Sequence, residues 1–185
     1  MLTNDERPGI EEQYSQAASS SNLRCEADRR GASDILIASG MSGSVLGGAL
    51  MRLHTEYNRG GVPRGNATQT DHILMMGQLK TLRAVLDAVT SQAVRWDIER
   101  PEKAALAVVA HWLDSTCHHC EGRGKERIKD TPALSGKNCK HCHGTGHTML
   151  PYGSAGRQLE GYMQDCLNRW RQLTSKRLHG LKNSA

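Results

Sequence analysis

Apolar residues recur along most of this chain at intervals of three and four, the period that turns one face of an α-helix toward a core. The clearest run is Leu79, Leu82, Leu86, Val89, Ala93 and Trp96, which share one stripe while Lys80, Arg83, Asp87 and Arg95 lie off it. Pro101 suits the first turn of a second helix, whose apolar face is Ala105, Val108, Val109, Trp112 and Leu113. Upstream, Ile35, Leu36 and Ile37, then Val45, Leu46, Ala49, Leu50 and Leu53, keep helical spacing within residues 32–57. Gly40, Gly43, Gly47 and Gly48 would weaken an isolated helix there, and close packing against another helix is the usual reason for them. Ser33 or Asp34 is the expected N-cap. Residues 1–31 hold few apolar positions and a run of small residues at 17–21, which predicts a disordered tail. Arg59-Gly60-Gly61-Val62-Pro63-Arg64-Gly65-Asn66 reads as an exposed loop.

Beyond residue 150 the chain breaks at Leu150-Pro151-Tyr152-Gly153, and Ser154 can cap a new helix. Leu159, Tyr162, Met163, Leu167, Trp170, Leu173, Leu178 and Leu181 mark its apolar side, with an interruption around Gln164-Asp165-Cys166. That spacing admits one long helix, or two shorter ones joined as a helix-turn-helix. In the two-helix form residues 167–179 are the second helix. Its outward residues Asn168, Arg169, Arg171, Gln172, Ser175 and Lys176 suit guanine, adenine and phosphate, and Arg157 joins this DNA-binding set from the preceding helix. A solvated helix face is the plain alternative.

Between the helical segments stands a short repeat. Cys117-His118-His119-Cys120-Glu121-Gly122-Arg123-Gly124 and Cys139-Lys140-His141-Cys142-His143-Gly144-Thr145-Gly146 both fit C-x-x-C-x-G-x-G, with 18 residues between Cys120 and Cys139. Each C-x-x-C turn sets two sulfurs on one edge of a tetrahedron, so Cys117, Cys120, Cys139 and Cys142 are the expected ligands of one zinc ion. Four thiolates leave no open position for water, which makes that zinc structural. The glycines permit the positive φ angles that fold backbone amides toward the sulfurs. A redox C-x-x-C pair normally occurs once, near a βαβ pattern, and secreted disulfides would want a leader; Met1-Leu2-Thr3-Asn4-Asp5-Glu6 has no basic or apolar run. His118, His119, His141, His143 and His147 are then surface or phosphate-contacting groups, and Cys25 and Cys166 are free thiols.

Charge adds an asymmetry. Of the net +5, residues 1–116 contribute 12 basic and 14 acidic side chains, and residues 117–185 contribute 12 basic and 5 acidic. A basic half beside a near-neutral one points to a polyanion-binding face, with Arg123 and Lys125 of the zinc unit as phosphate contacts. There is no Phe and only 4% aromatic residues, which argues against a sheet that stacks RNA bases. No apolar stretch approaches a membrane span, and six cysteines without a leader predict a reducing, cytoplasmic setting. No nucleophile and base pair, phosphate loop or acidic metal cluster is apparent, so the chain does not read as an enzyme.

The order of these features resembles the lambda-type bacteriophage late antitermination protein Q family. The likeness rests on a Ser-Asp-led helix with Met41-Ser42-Gly43, a helical pair ending in a Cys, the two knuckles, then Pro151, a Ser154-Ala155-led helix and a Trp170-containing helix, over roughly residues 32–181. The zinc region of DnaJ-type chaperones uses the same knuckle, but as four repeats in a β-rich arm beside a J-domain, and no His-Pro-Asp occurs here. The resemblance implies a factor that binds double-stranded DNA at a late promoter and loads onto paused bacterial RNA polymerase with its sigma factor attached. It would then narrow the exit channel around nascent RNA, suppressing pausing and termination in the bacterial cytoplasm. The expected organisation is all-α, mainly helical, with an inserted four-cysteine zinc-knuckle unit and a C-terminal helix-turn-helix-like pair. Its parts are a tail at 1–31, a helical body at 32–116, the zinc-binding unit at 117–147, the DNA-binding helix pair at 148–182 and a tail at 183–185. The other readings are a sequence-specific regulator acting on initiation alone and a DnaJ-like chaperone accessory.

Overall fold

The computed structural model describes residues 8–24, 31–59, 76–127 and 134–180. Most of the expected 59–66 loop, Cys25 and the 183–185 tail lie outside them. The described residues are mainly helical: α1 (Ile10–Ser19), α2 (Ala32–Gly40), α3 (Val45–Arg59), α4 (Leu82–Arg95), α5 (Pro101–Leu113) and α6 (Gly153–Gly180), with strands β1 (Lys125–Arg127) and β2 (Leu134–Asn138). The antiparallel ribbon pairs Lys125 with Asn138 and Arg127 with Leu134, with an irregularity between them. The chain forms two compact units, residues 1–55 with 162–185, and residues 56–161.

In the first unit the expected disordered tail is replaced, over residues 10–19, by a helix packed on α2. Few apolar residues suffice because two of them are placed well. Tyr14 and Ala17 are buried, and the Tyr14 ring meets Trp170 edge-on with centroids 5.5 Å apart. Glu11 and Glu12 in the first turn favour the helix dipole. The run at 32–57 is two helices. Met41 to Ser44 separate them, and Gly43 turns the chain with φ +71°. The cap of α2 sits earlier than Ser33: Gly31 holds the N-cap position, and its N–H donates to Asp34 Oδ2 at 2.9 Å.

The expected helix-turn-helix is absent, since residues 153–180 form one 28-residue helix. Leu159, Met163, Leu167, Trp170, Thr174 and Leu178 are all buried and continue the helical period without a gap. Thr174 fills the place in the stripe that the apolar pattern left open, and Gln164 and Asp165 merely lie on the exposed side. Within the first unit Trp170 Nε1 donates to Ser39 Oγ at 3.0 Å, and Ser44 Oγ donates to the Cys166 carbonyl at 3.1 Å.

The second unit centres on the α4–α5 pair. Leu82, Val85, Val89 and Ala93 face Ala104, Ala105, Val108, Val109 and Leu113 in its core, while Leu79, Leu86, Trp96 and Trp112 are half-buried. Pro101 opens α5 as expected. Glu56 fixes the start of α4, accepting from Thr81 N at 3.0 Å and from the Thr81 hydroxyl.

One glycine tests the first unit's packing. A Cβ on Gly47 would collide with the Cys166 carbonyl oxygen and lie 2.7 Å from Trp170 Cβ, so α3 and α6 approach backbone to backbone there. Gly47→Ala is expected to destabilise the protein by about 1–3 kcal/mol through overpacking. Gly161→Ala, where a Cβ meets nothing within 4 Å, should stabilise by about 0.5–1 kcal/mol. Urea denaturation of the two variants checks the opposite signs.

Candidate metal centre

The two knuckles have the same local conformation. After the second cysteine of each pair the chain turns left-handed, with φ +52° at Glu121 and +79° at Gly122, matched by +53° at His143 and +96° at Gly144. Gly124 and Gly146 follow at +71° and +80°. This path points the Gly124 amide at Cys120 Sγ and the Gly146 amide at Cys142 Sγ, each at 3.3 Å. Such N–H donors spread a thiolate's charge into the backbone.

The knuckles also hold each other through a pseudo-twofold exchange. Cys117 N–H donates to the Gly146 carbonyl and Cys139 N–H to the Gly124 carbonyl, both at 2.8 Å. The shift relating the halves is 22 residues, and it pairs Cys117 with Cys139 at 4.0 Å and Cys120 with Cys142 at 3.6 Å between sulfurs. Lys125 opposite Asn138 in the ribbon becomes His147 opposite Thr116, an isolated antiparallel bridge. That bridge closes the unit where the chain enters and leaves, helped by Thr148 N–H donating to the Ser115 carbonyl at 2.7 Å. Thr116, Ser115 and Asn138 went unnoticed in the sequence. Superposing the repeat on itself outward from its cysteines is the signal that finds them.

All four sulfurs lie within 4.8 Å of one another and all four cysteines are buried. A tetrahedral ion with metal–sulfur bonds of about 2.3 Å needs sulfur–sulfur edges of about 3.8 Å, between the two distances observed. Among the described residues no histidine joins this cluster. His118, His119, His141, His143 and His147 are exposed, and His119 and His141, equivalent under the 22-residue shift, stack with centroids 3.4 Å apart. The sulfurs are unequal before a metal arrives. Burial and the neighbouring cysteines, against the opposing Gly124 amide, push Cys120 up to about 11. Burial also opposes the Cys142 thiolate, but the Gly146 and Gly144 amides and the adjacent sulfurs outweigh it and bring Cys142 down to about 6. Because a metal ion binds the thiolate form, loading this cluster would release protons and depend on pH.

The expected DNA-binding residues divide between the units. In the second, Arg123 is exposed and paired with Glu121 at 3.1 Å, Lys125 Nζ donates to Asn138 Oδ1 at 2.8 Å, and Arg157 is exposed on α6. In the first, Asn168, Arg169, Gln172 and Lys176 are exposed, whereas Ser175 and Arg171 are half-buried. At 100° per residue the four exposed side chains fall in one sector of about 100°, opposite the buried stripe. Arg171 lies at the edge of that stripe, and Glu11 was not foreseen as its partner: Arg171 Nη2 donates to Glu11 Oε1. No described helix is long and apolar enough to cross a membrane. Comparison with protein families, with characterised proteins and with solved structures finds no match to this chain.

The centre predicts one bound metal ion per chain, measurable by elemental analysis of protein purified without chelator. Cys139→Ser should lose the ion and destabilise residues 117–146 by roughly several kcal/mol, the scale of a structural site's folding contribution. Gly124→Ala should do the same with every ligand intact, because its Cβ would strike the Gly144 carbonyl. Thermal melts with and without metal separate both from the parent chain.

Proposed function

We propose that this chain is a zinc-stabilised, DNA-binding transcription antitermination factor of the phage late-gene type. The observation that carries the DNA-binding part is the polar sector of α6, where Asn168, Arg169, Gln172 and Lys176 stand exposed together. A single helix is sufficient for major-groove reading, since its width matches the groove and Arg, Lys, Asn and Gln supply the donors and acceptors that distinguish base edges. Arg123, Lys125 and Arg157 serve as phosphate contacts, which position without specifying sequence.

Zinc is the favoured ion for the four-sulfur site, held by Cys117, Cys120, Cys139 and Cys142. When bound it supplies a fixed tetrahedral cross-link, and with every position taken by sulfur it leaves none for a reacting water. The cysteines hold the knuckles, and the Gly124 and Gly146 amides orient two of the sulfurs. Metal analysis returning iron would replace zinc without changing the fold.

Antitermination is favoured over initiation control by the order of motifs along the chain: helical pair, two knuckles, proline break, Trp-containing helix. In this reading the protein binds the late promoter, transfers to paused RNA polymerase with its sigma factor, and stays beside the exit channel as nascent RNA passes.

Two measurements test the reading. Arg169→Ala is expected to lose about 1–3 kcal/mol of discrimination between specific and non-specific duplexes, the worth of a bidentate base contact, while Arg123→Ala weakens binding to all DNA alike. In transcription assays with the terminator several persistence lengths of DNA, roughly several hundred base pairs, beyond the promoter, read-through should rise with protein and vanish when the upstream element is scrambled. Changed promoter output with an unchanged terminated fraction would move the assignment to a regulator of initiation.

A further inference from the structure

Arg171 carries the group best suited to a guanine edge or a phosphate, yet its guanidinium is spent inside the first unit. Nη2 donates to Glu11 of α1 across 160 residues of sequence, Nη1 donates to Asn168 Oδ1, and Nε is buried without a hydrogen-bond partner. Glu11 thus occupies, through one oxygen on Nη2, the place a phosphate oxygen would take, with the same sign of charge. His54 also feels the Glu11 charge, but burial holds its pKa below 6.5, so near neutral pH Arg171 is the full cation that Glu11 balances. The helix bearing Glu11 is lightly held. It has 10 residues and buries Tyr14 and Ala17, and the second acid of its first turn, Glu12, faces solvent. An element with so little buried apolar surface opens at lower free energy than the core it covers.

We infer that α1 is an acidic latch on α6: Glu11 holds Arg171 back from nucleic acid, and a DNA phosphate releases it by taking the place of Glu11. This rests on the DNA-binding reading of α6. In the latched state the reading sector is Asn168, Arg169, Gln172 and Lys176; released, it gains Arg171 on one flank. Asn168 Oδ1, which accepts from Arg171 and from Gln164, lies beside the guanidinium in that sector.

The test uses the full-length, metal-loaded chain and a short labelled DNA duplex of arbitrary sequence, titrated at two salt concentrations. Glu11→Gln is expected to bind about two- to fivefold tighter, the range an exposed ion pair can withhold, with a salt dependence steeper by about one phosphate contact. Glu12→Gln removes the same charge from the same turn without touching Arg171, and should change binding less. Adding Arg171→Gln to Glu11→Gln should erase the gain. In the wild-type chain, hydrogen exchange at the α1 amides should speed up when DNA is added, a readout that needs no variant to fold. Equal effects of Glu11→Gln and Glu12→Gln, a gain that survives Arg171→Gln, or α1 exchange unchanged while DNA binds would each overturn the latch and leave DNA binding standing. No binding by either the wild type or Glu11→Gln would overturn both.

Discussion

Four sulfurs held within 4.8 Å of one another can all be thiolates only if something between them carries positive charge. As thiols they pack much as small apolar groups do, but as thiolates they repel. Backbone amides relieve part of this, Gly124 at Cys120 and both Gly146 and Gly144 at Cys142, but three donors fall far short of four charges. A tetrahedral dication, which the four sulfurs are placed to hold, would offset that repulsion. Around the four sulfurs the crossed carbonyl bonds of Cys117 and Cys139, the β1–β2 ribbon and the Thr116–His147 bridge close the unit together. Since that bridge lies three residues after α5 ends, it also sets where the chain leaves the helical pair, which His111 reinforces through the Thr148 carbonyl at 3.0 Å.

Those parts of the molecule whose interactions are local were legible in the sequence. The ligand set could be read because C-x-x-C spacing fixes two sulfurs without help from the rest of the chain. Pro101 could be read because its φ and missing N–H suit the first turn of a helix wherever the helix is placed. The stripe from Leu82 to Ala93 was visible because α4 needs one apolar face and has one.

Where partners lie far apart along the chain, the local pattern misleads. Residues 10–19 look too polar to fold alone. Tyr14 becomes a core residue only against Trp170, which nothing in the first thirty residues announces. The polar stretch at 164–166 looked like a turn because an exposed helical face and a break have the same composition. Only burial on both sides of it, from Leu159 to Leu178, distinguishes them. Arg171 has the polar character of its outward-facing neighbours, but at 100° per residue it sits beside the core stripe, within reach of a carboxylate whose position no local rule supplies.

The 22-residue repeat has a further consequence, because it lets the chain be compared with itself. Written one above the other, the two eight-residue knuckles agree at both cysteines, both glycines and the histidine before the second cysteine. The first four are what holding a metal demands. The fifth is accounted for by the pseudo-axis, where His119 and His141 lie against each other and a change in one ring would leave the other facing a mismatched neighbour. The remaining positions differ: His118 against Lys140, Glu121 against His143, Arg123 against Thr145. Two of these pairs brace the knuckles differently, since Thr145 Oγ1 donates to the Cys142 carbonyl at 2.8 Å where the other half pairs Arg123 with Glu121 at 3.1 Å, so one backbone shape is buttressed by a hydroxyl on one side and by an ion pair on the other.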